Sequence, residues 1–116
     1  MPGIHDVVEA LHRRPGVEAV VVVGRDGIPI DSTGNGFDVD TLAALLPGML
    51  RGAGDLGNAG ARGDFSLGVL EFGDGLAVVS TLNADASLVV LVRPAMNVGA
   101  LLFDIQRHRS AIAGLL

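Results

Sequence analysis

The sequence contains no cysteine, lysine, tryptophan or tyrosine among its 116 residues. Without cysteine there can be no disulfide, thiolate metal site or cysteine nucleophile, and this absence fits a reducing cytoplasm, where we expect the protein. Without lysine the chain cannot form the lysine-containing phosphate loop of nucleoside triphosphatases. Its four phenylalanines are the only aromatic residues, so valine, leucine, isoleucine and alanine must form the core.

Positive charge is scarce as well. All eight basic residues are arginine, the formal net charge is −5, and no segment concentrates arginine. We therefore expect no nucleic-acid partner. The sequence also lacks a long apolar run and a basic N-terminal region followed by an apolar one, so we expect no membrane span and no secretory signal. What remains is 49% hydrophobic residues, enough for the core of a single domain over residues 1–116.

Hydrophobic spacing predicts three helices and five strands in the order α-β-β-α-β-β-β-α. The apolar residues from Ile4 to Leu11 follow the i, i+3, i+4, i+7 spacing of an amphipathic helix. The β-branched run from Ala19 to Gly24 is typical of a strand covered on both faces. We expect Asp38 or Asp40 to cap the second helix. The predicted elements are a helix over 3–14, strands over 19–24 and 28–33, a helix over 41–61, strands over 64–71, 76–82 and 87–93, and a helix over 98–116.

The string GAGDLG, from Gly52 to Gly57, matches the G-x-G-x-x-G pattern of dinucleotide sites. That pattern binds pyrophosphate where it follows a strand and begins a helix, because free backbone N–H groups hold the phosphates. Here a predicted helix precedes the string and continues through it, which argues against a nucleotide site. The glycines are costly, since each one inside a helix costs about 0.8–1 kcal/mol relative to alanine. Two explanations stay open: small residues that let another backbone approach closely, or a frayed helix end from Gly54 onward.

The second predicted helix has two contrasting sides. One side is a stripe of apolar residues at helical spacing, namely Leu42, Leu45, Leu46, Met49, Ala53 and Leu56. Opposite it lies a polar strip with spacings of 4, 3 and 4 residues, namely Arg51, Asp55, Asn58 and Arg62. This strip is either an ordinary solvated face or a surface for a protein partner.

Two segments resemble the Roadblock/dynein-light-chain domain family. HRRPGVEAVVVVGRDGIPIDS, residues 12–32, is similar to the opening of these domains, where a helix, Pro-Gly-Val, an apolar strand, Asp-Gly and a returning strand follow one another. VVLVRPAMNVGALLFDIQRHRSAI, residues 89–112, is similar to their close. Within it, Asn97-Val98-Gly99 followed by a leucine pair is similar to the bacterial MglB-type members. The resemblance covers nearly the whole chain.

The resemblance implies a profilin-like, three-layer α-β-α fold of the α/β (α+β) class, with a five-stranded antiparallel sheet in the order 2-1-5-4-3. It also implies a homodimer formed through strand 3. The residues agree at both edges of such a sheet: Pro29 in strand 2 lacks a backbone donor, whereas strand 3 has neither proline nor interior charge. The predicted dimer interface is Phe65, Ser66, Leu67, Gly68, Val69, Leu70 and Glu71.

Members of this family bind Ras-like small GTPases, and the MglB-type members accelerate GTP hydrolysis by their partner. The resemblance therefore implies a non-enzymatic regulator or scaffold, and we expect no catalytic residue, cofactor or metal. The partner would contact the second helix, through the set Pro47, Leu50, Arg51, Gly54, Asp55, Asn58 and Arg62. Two alternatives stay open: a small-molecule sensor, which requires a ligand cavity, and an assembly module with no effect on GTP turnover.

Overall fold

The computed structural model describes residues 3–116 and contains the predicted elements in the predicted order. They are α1 (Ile4–His12), β1 (Val17–Gly24), β2 (Pro29–Thr33), α2 (Val39–Ala59), β3 (Leu67–Phe72), β4 (Gly75–Asn83), β5 (Ala86–Val92) and α3 (Gly99–Ala113). The strands form one antiparallel sheet in the order β2-β1-β5-β4-β3, which confirms the predicted topology. β5 lies at its centre between β1 and β4, and β2 and β3 form its edges.

Helices cover both faces of this sheet, which gives three layers. On one face, α1 and α3 pack over a cluster centred on Val20 and Val90. On the other face, α2 packs through Ala43 and Leu46 over Val21 and its neighbours. The interior strand β1 is thus buried on both sides, as its unbroken β-branched run predicts.

Several element ends differ from the predicted ones. β1 begins at Val17 instead of residue 19, because Val17 already pairs with Val92 of β5. The last helix ends at Ala113, and the leucines that follow it are exposed. At the start of α2, Asp38 provides the cap, since its carboxylate accepts the backbone N–H of Thr41 at 3.1 Å. The hydroxyl and the backbone N–H of Thr41 hold the pKa of Asp38 below its usual value.

Pro29 of β2 lies at a position in the sheet that tolerates the lack of a backbone N–H. Pro29 is on an edge strand opposite Val23, and the register shifts between Val22 and Val23, as at a β-bulge. Pro29 therefore lies both on an edge strand and beside a bulge, the two settings in which a sheet tolerates a residue without a backbone N–H. Within residues 3–116, no helix has the length and apolarity needed to cross a bilayer, and no three histidine or carboxylate side chains converge as metal ligands.

Candidate dimer and partner interfaces

Strand β3 forms an open edge of the described sheet. It pairs with β4 in an uninterrupted register along its whole length. The backbone carbonyl of Ser66 accepts the N–H of Thr81 at 3.0 Å, which places the hydrogen-bonded pairs of this antiparallel ladder at every second residue from there. The backbone groups of Leu67, Val69 and Glu71 therefore point away from β4, into the space where another strand can pair.

The side chains of β3 are also open to solvent. Val69 and Leu70 are exposed on opposite faces of the sheet, and Phe72 at the end of the strand is 60% exposed. Apolar side chains beside unpaired backbone groups are typical of a surface that another chain covers. We call Leu67–Phe72, with these side chains and outward backbone groups, the β3 edge.

The predicted start of this strand at Asp64 is wrong, because the strand begins at Leu67. Gly63 adopts a φ of +85° just before it, and Phe65 then turns its ring inward. That ring packs over Gly68, where an added Cβ would lie 3.1 Å from a ring carbon. Phe65 thus belongs to the cluster under α2, and Ser66 precedes the strand, although both were predicted to lie on the paired edge.

Helix α2 has an exposed apolar face in addition to its buried one. Leu46 packs on the sheet, but Leu45 is 69% exposed and Leu56 is 75% exposed. At about 100° per residue, Leu45, Gly48, Gly52 and Leu56 lie within one arc of about 80°, centred roughly a third of a turn from Leu46. The predicted apolar stripe is therefore continuous along the helix, but only the side that contains Leu46 is buried on the sheet. We call these four residues the α2 stripe.

A groove of about 480 Å³ lies between the α2 stripe and the β3 edge. Leu42, Leu45 and Met49 line it on the helix side, and Leu70 and Phe72 line it on the strand side. Its lining is almost entirely apolar, and it opens to solvent. An apolar groove next to an open strand edge is a surface that a second apolar element can cover.

The glycines of α2 fall into two kinds. A Cβ added at Gly52 or Gly54 would meet nothing within 4 Å, whereas one added at Gly57 would collide with the carbonyl oxygen of Gly63. Gly57 is thus required by the loop that folds back over the helix, while the others face open space. Because the helix continues to Ala59, the interpretation of a frayed end from Gly54 onward is wrong. The string GAGDLG lies inside the helix, so it does not form a helix N-terminus.

The polar strip of the predicted partner surface is shorter than expected. Arg51, Asp55 and Asn58 are exposed on α2, on the side that faces away from the sheet. Arg62 lies beyond the end of the helix, where its guanidinium donates to two backbone carbonyls at 3.3 Å. The remaining members of the predicted set, Pro47, Leu50 and Gly54, are half-buried on the same helix.

Sequence analysis missed the role of Arg109. Its guanidinium donates to the hydroxyl of the buried Ser80 and to the backbone carbonyl of Ser66, both at 3.2 Å. This contact fastens α3 to the residue that precedes the β3 edge. The available signal was position alone, since Arg109 falls between the core residues Ile105 and Ile112 on the buried side of the helix.

At the opposite edge of the sheet, a histidine of α1 contacts an aspartate of β2. The Nδ1 of His5 in α1 lies 2.8 Å from a carboxylate oxygen of Asp31 in β2, and its Nε2 lies 3.3 Å from Glu9. The hydrogen bond and charge of Asp31, with a smaller contribution from Glu9, raise the pKa of His5 above its usual value. α1 therefore protects the β2 edge within the same chain.

Sequence and structure comparisons relate this chain to known proteins. The sequence profile of the Roadblock/LC7 domain matches residues 3–92. No curated protein sequence matches the chain significantly.

Solved structures share the fold at low sequence identity. MglB of Myxococcus xanthus is 20% identical and superimposes with a TM-score of 0.86, over 97% of this chain and 93% of that one. A Roadblock/LC7 domain from Streptomyces avermitilis is 23% identical, with a TM-score of 0.84 over 97% of both chains. MglC of Myxococcus xanthus is 21% identical, with a TM-score of 0.65 over 94% of this chain and 95% of that one. At these identities the likeness shows the fold alone.

Proposed function

The chain belongs to the Roadblock/LC7 domain family, and from that premise we propose that it is a homodimeric regulator or scaffold that binds a Ras-like small GTPase and stimulates its GTP hydrolysis. The family resemblance suggests the class of partner. The observation that carries the proposal is the open apolar groove between the β3 edge and the α2 stripe. A second copy of the chain has the elements to fill it.

The dimer follows from self-complementary surfaces. In a twofold interface the same patch of both copies takes part, so two β3 edges pair in antiparallel orientation through the outward groups of Leu67, Val69 and Glu71. The α2 stripe of each copy then lies against the groove of the other. The leucines of the stripe supply apolar area, and Gly48 and Gly52 let the partner's helix approach closely.

The GTPase surface follows from the dimer. Two β3 edges that pair bring two α2 helices side by side, and Arg51, Asp55 and Asn58 of both copies then face away from the joined sheet. This surface binds and orients the GTPase, while the reacting nucleotide stays with the partner. The protein is thus a non-enzymatic regulator.

The decisive experiment measures GTP hydrolysis by the small GTPase encoded nearest this gene, with and without the protein. We expect a faster turnover, preferential binding of the GTP-loaded partner, and a dimer by light scattering at micromolar concentration. Asn58→Arg on α2 should weaken binding, whereas Gln106→Arg on the exposed side of α3 introduces the same charge and should not. No rate effect together with equal binding of the GTP and GDP forms, or a monomer, would contradict the proposal.

The groove also favours a second candidate, a small-molecule sensor. Its volume of about 480 Å³ falls within the range of roughly 300–1,000 Å³ that is usual for ligand pockets. A sensor would stay monomeric and retain an apolar ligand in the groove, which native mass spectrometry would detect. A dimer that binds the GTPase without changing its turnover would instead indicate an assembly module.

A further inference from the structure

A second pocket lies on the other side of α2. It has a volume of about 340 Å³ and opens where the helix crosses the end of the sheet. Leu46, Pro47 and Leu50 of α2 form an apolar wall, and Ser87 at the start of β5 lies opposite them. The α2 stripe points away from this pocket, so a second copy seated on the stripe leaves the pocket open.

Two arginines from distant parts of the sequence contribute to the lining of this pocket. Arg25, in the turn after β1, and Arg51, on α2, both line it. Neither takes part in an ion pair within residues 3–116, where His5, Arg13 and Arg14 supply the cationic partners. In a chain with a net charge of −5, two uncompensated guanidinium groups at one pocket form a local site for a negative charge.

Neither Asp26 nor Asp85 forms an ion pair with the nearby Arg25 within residues 3–116. The carboxylate of Asp26 accepts the backbone N–H of Ile28 at 3.1 Å and so closes its own turn. Asp85 is held to Arg25 through the main chain, because the N–H of Arg25 donates to the carbonyl of Asp85 at 2.9 Å. The guanidinium of Arg25 therefore remains available to an external acceptor.

A serine adds a third polar group to the pocket. Ser80 and Ser87 are the buried polar residues of the described chain, Ser87 being 7% exposed. The hydroxyl of Ser80 contacts Arg109 and a backbone carbonyl, whereas that of Ser87 makes no such hydrogen bond within residues 3–116. The hydroxyl of Ser87 is not among the fully buried polar atoms that lack a partner, since Thr33 Oγ1 is the one found within residues 3–116. It therefore contributes to the pocket as an accessible hydroxyl that can donate to an acceptor.

We propose that this pocket binds the carboxylate of a glutamate or aspartate side chain on the protein partner, an inference that rests on the proposed function. Arg25 and Arg51 donate to the carboxylate oxygens, and the hydroxyl of Ser87 adds a hydrogen bond. The apolar wall suits the methylene groups of such a side chain, which a free phosphate lacks. The pocket thereby extends the partner surface beyond α2 to the turn between β1 and β2.

The first test requires no GTPase. The first probe is N-acetylglutamate α-amide, whose only charged group is the side-chain carboxylate. It is titrated into the protein while NMR records the chemical shifts of the protein, and N-acetylglutamine α-amide is the uncharged control. We expect saturable shifts at Ser87 and at the Arg51 Nε–H for the charged probe, and their loss in Arg25→Gln/Arg51→Gln. No saturable shift at these groups, or a response to inorganic phosphate alone, would overturn the carboxylate assignment.

The second test uses the GTPase. Arg25→Gln/Arg51→Gln should weaken binding at least about tenfold and reduce its dependence on salt, because two charged hydrogen-bonding groups are removed. Arg93→Gln/Arg107→Gln removes the same charge at exposed positions elsewhere and should bind as the wild type does. If the wild type binds and the Arg25/Arg51 variant binds equally well, the pocket inference is wrong and Arg51 does not belong to the partner surface, whereas binding of the GTPase itself stands. If the wild type fails to bind, the proposed function is wrong and the probe titration decides the pocket.

Discussion

The two edges of the sheet are built in opposite ways. The β2 edge has Pro29, a bulge beside it, and a hydrogen bond from His5 that ties the strand to α1. The β3 edge has a regular register, three exposed apolar side chains and outward backbone groups. One edge is protected within the chain, whereas the other is left open.

This difference distinguishes an edge that is protected from pairing from an edge that is built to pair with a partner. An open strand is an aggregation hazard unless something covers it, and proline, bulges and covering elements are the usual protection. All of them occur at β2. At β3 their place is taken by an apolar groove and a helix with exposed leucines, which is the arrangement expected of an edge that pairs with a specific partner.

The largest expected effect comes from the α2 stripe that flanks the open edge. Leu45→Glu should weaken the proposed dimer by at least about 100-fold, because both copies lose a leucine whose burial contributes about 1.5–3 kcal/mol. The isolated chain should keep its stability, since Leu45 is exposed there. Analytical ultracentrifugation measures the dissociation constant. Ala44→Glu, at the neighbouring exposed position, is the matched control and should leave the dimer intact.

Converting the open edge into a protected one tests the comparison directly. Val69→Pro removes an N–H that points away from β4, so the intramolecular ladder survives while pairing between copies is impaired. Two backbone hydrogen bonds disappear from a twofold interface, each contributing about 0.5–1.5 kcal/mol, so we expect a dimer roughly 10- to 100-fold weaker. Val69→Ala retains the N–H and should dimerise more strongly than Val69→Pro. Equal dissociation constants for the proline variant and the wild type would show that β3 does not pair.

Substitutions of the glycines of α2 distinguish contacts within the chain from contacts between copies. Gly57→Ala should destabilise the fold by about 1–3 kcal/mol, because its Cβ would collide with the backbone of Gly63. Gly52→Ala has room in the single chain, so in the monomeric Leu45→Glu background it should raise the free energy of unfolding by up to about 1 kcal/mol. Urea unfolding measures both. A loss of stability for Gly52→Ala in that background would contradict the open position of this residue.

These contrasts show which features sequence patterns can predict. Element order and strand topology were predictable because periodicity and turn residues are local, and the resemblance supplied the sheet order. The exposure of Leu45 and Leu56 was not, since helical spacing identifies apolar residues but not the neighbour that covers them. That Arg25 and Arg51 line the same pocket depends on how α2 crosses the sheet, which neither residue's local sequence encodes.

The smallest expected effect is at the protected edge, where His5 holds Asp31. The pKa of His5 is raised above its usual value of 6.5 by the hydrogen bond and charge of Asp31. Its contribution to stability is therefore fully present below about pH 6.5 and is lost as the pH rises through the higher pKa of the folded state.

Thermal unfolding across this range should show the wild type slightly more stable than His5→Gln at pH 6, with the two curves converging at alkaline pH. His12→Gln, on the same helix, provides the control and should follow the wild type. Parallel curves at every pH would show that the histidine protects β2 by packing alone.

Because His5 is exposed, water competes with Asp31 for its proton, and this contact adds far less than the proline and the bulge. The β2 edge should therefore remain protected from pairing with other chains at any pH at which the chain is folded. The β3 edge is covered only by a second copy, so dilution should dissociate the dimer and expose this edge to solvent.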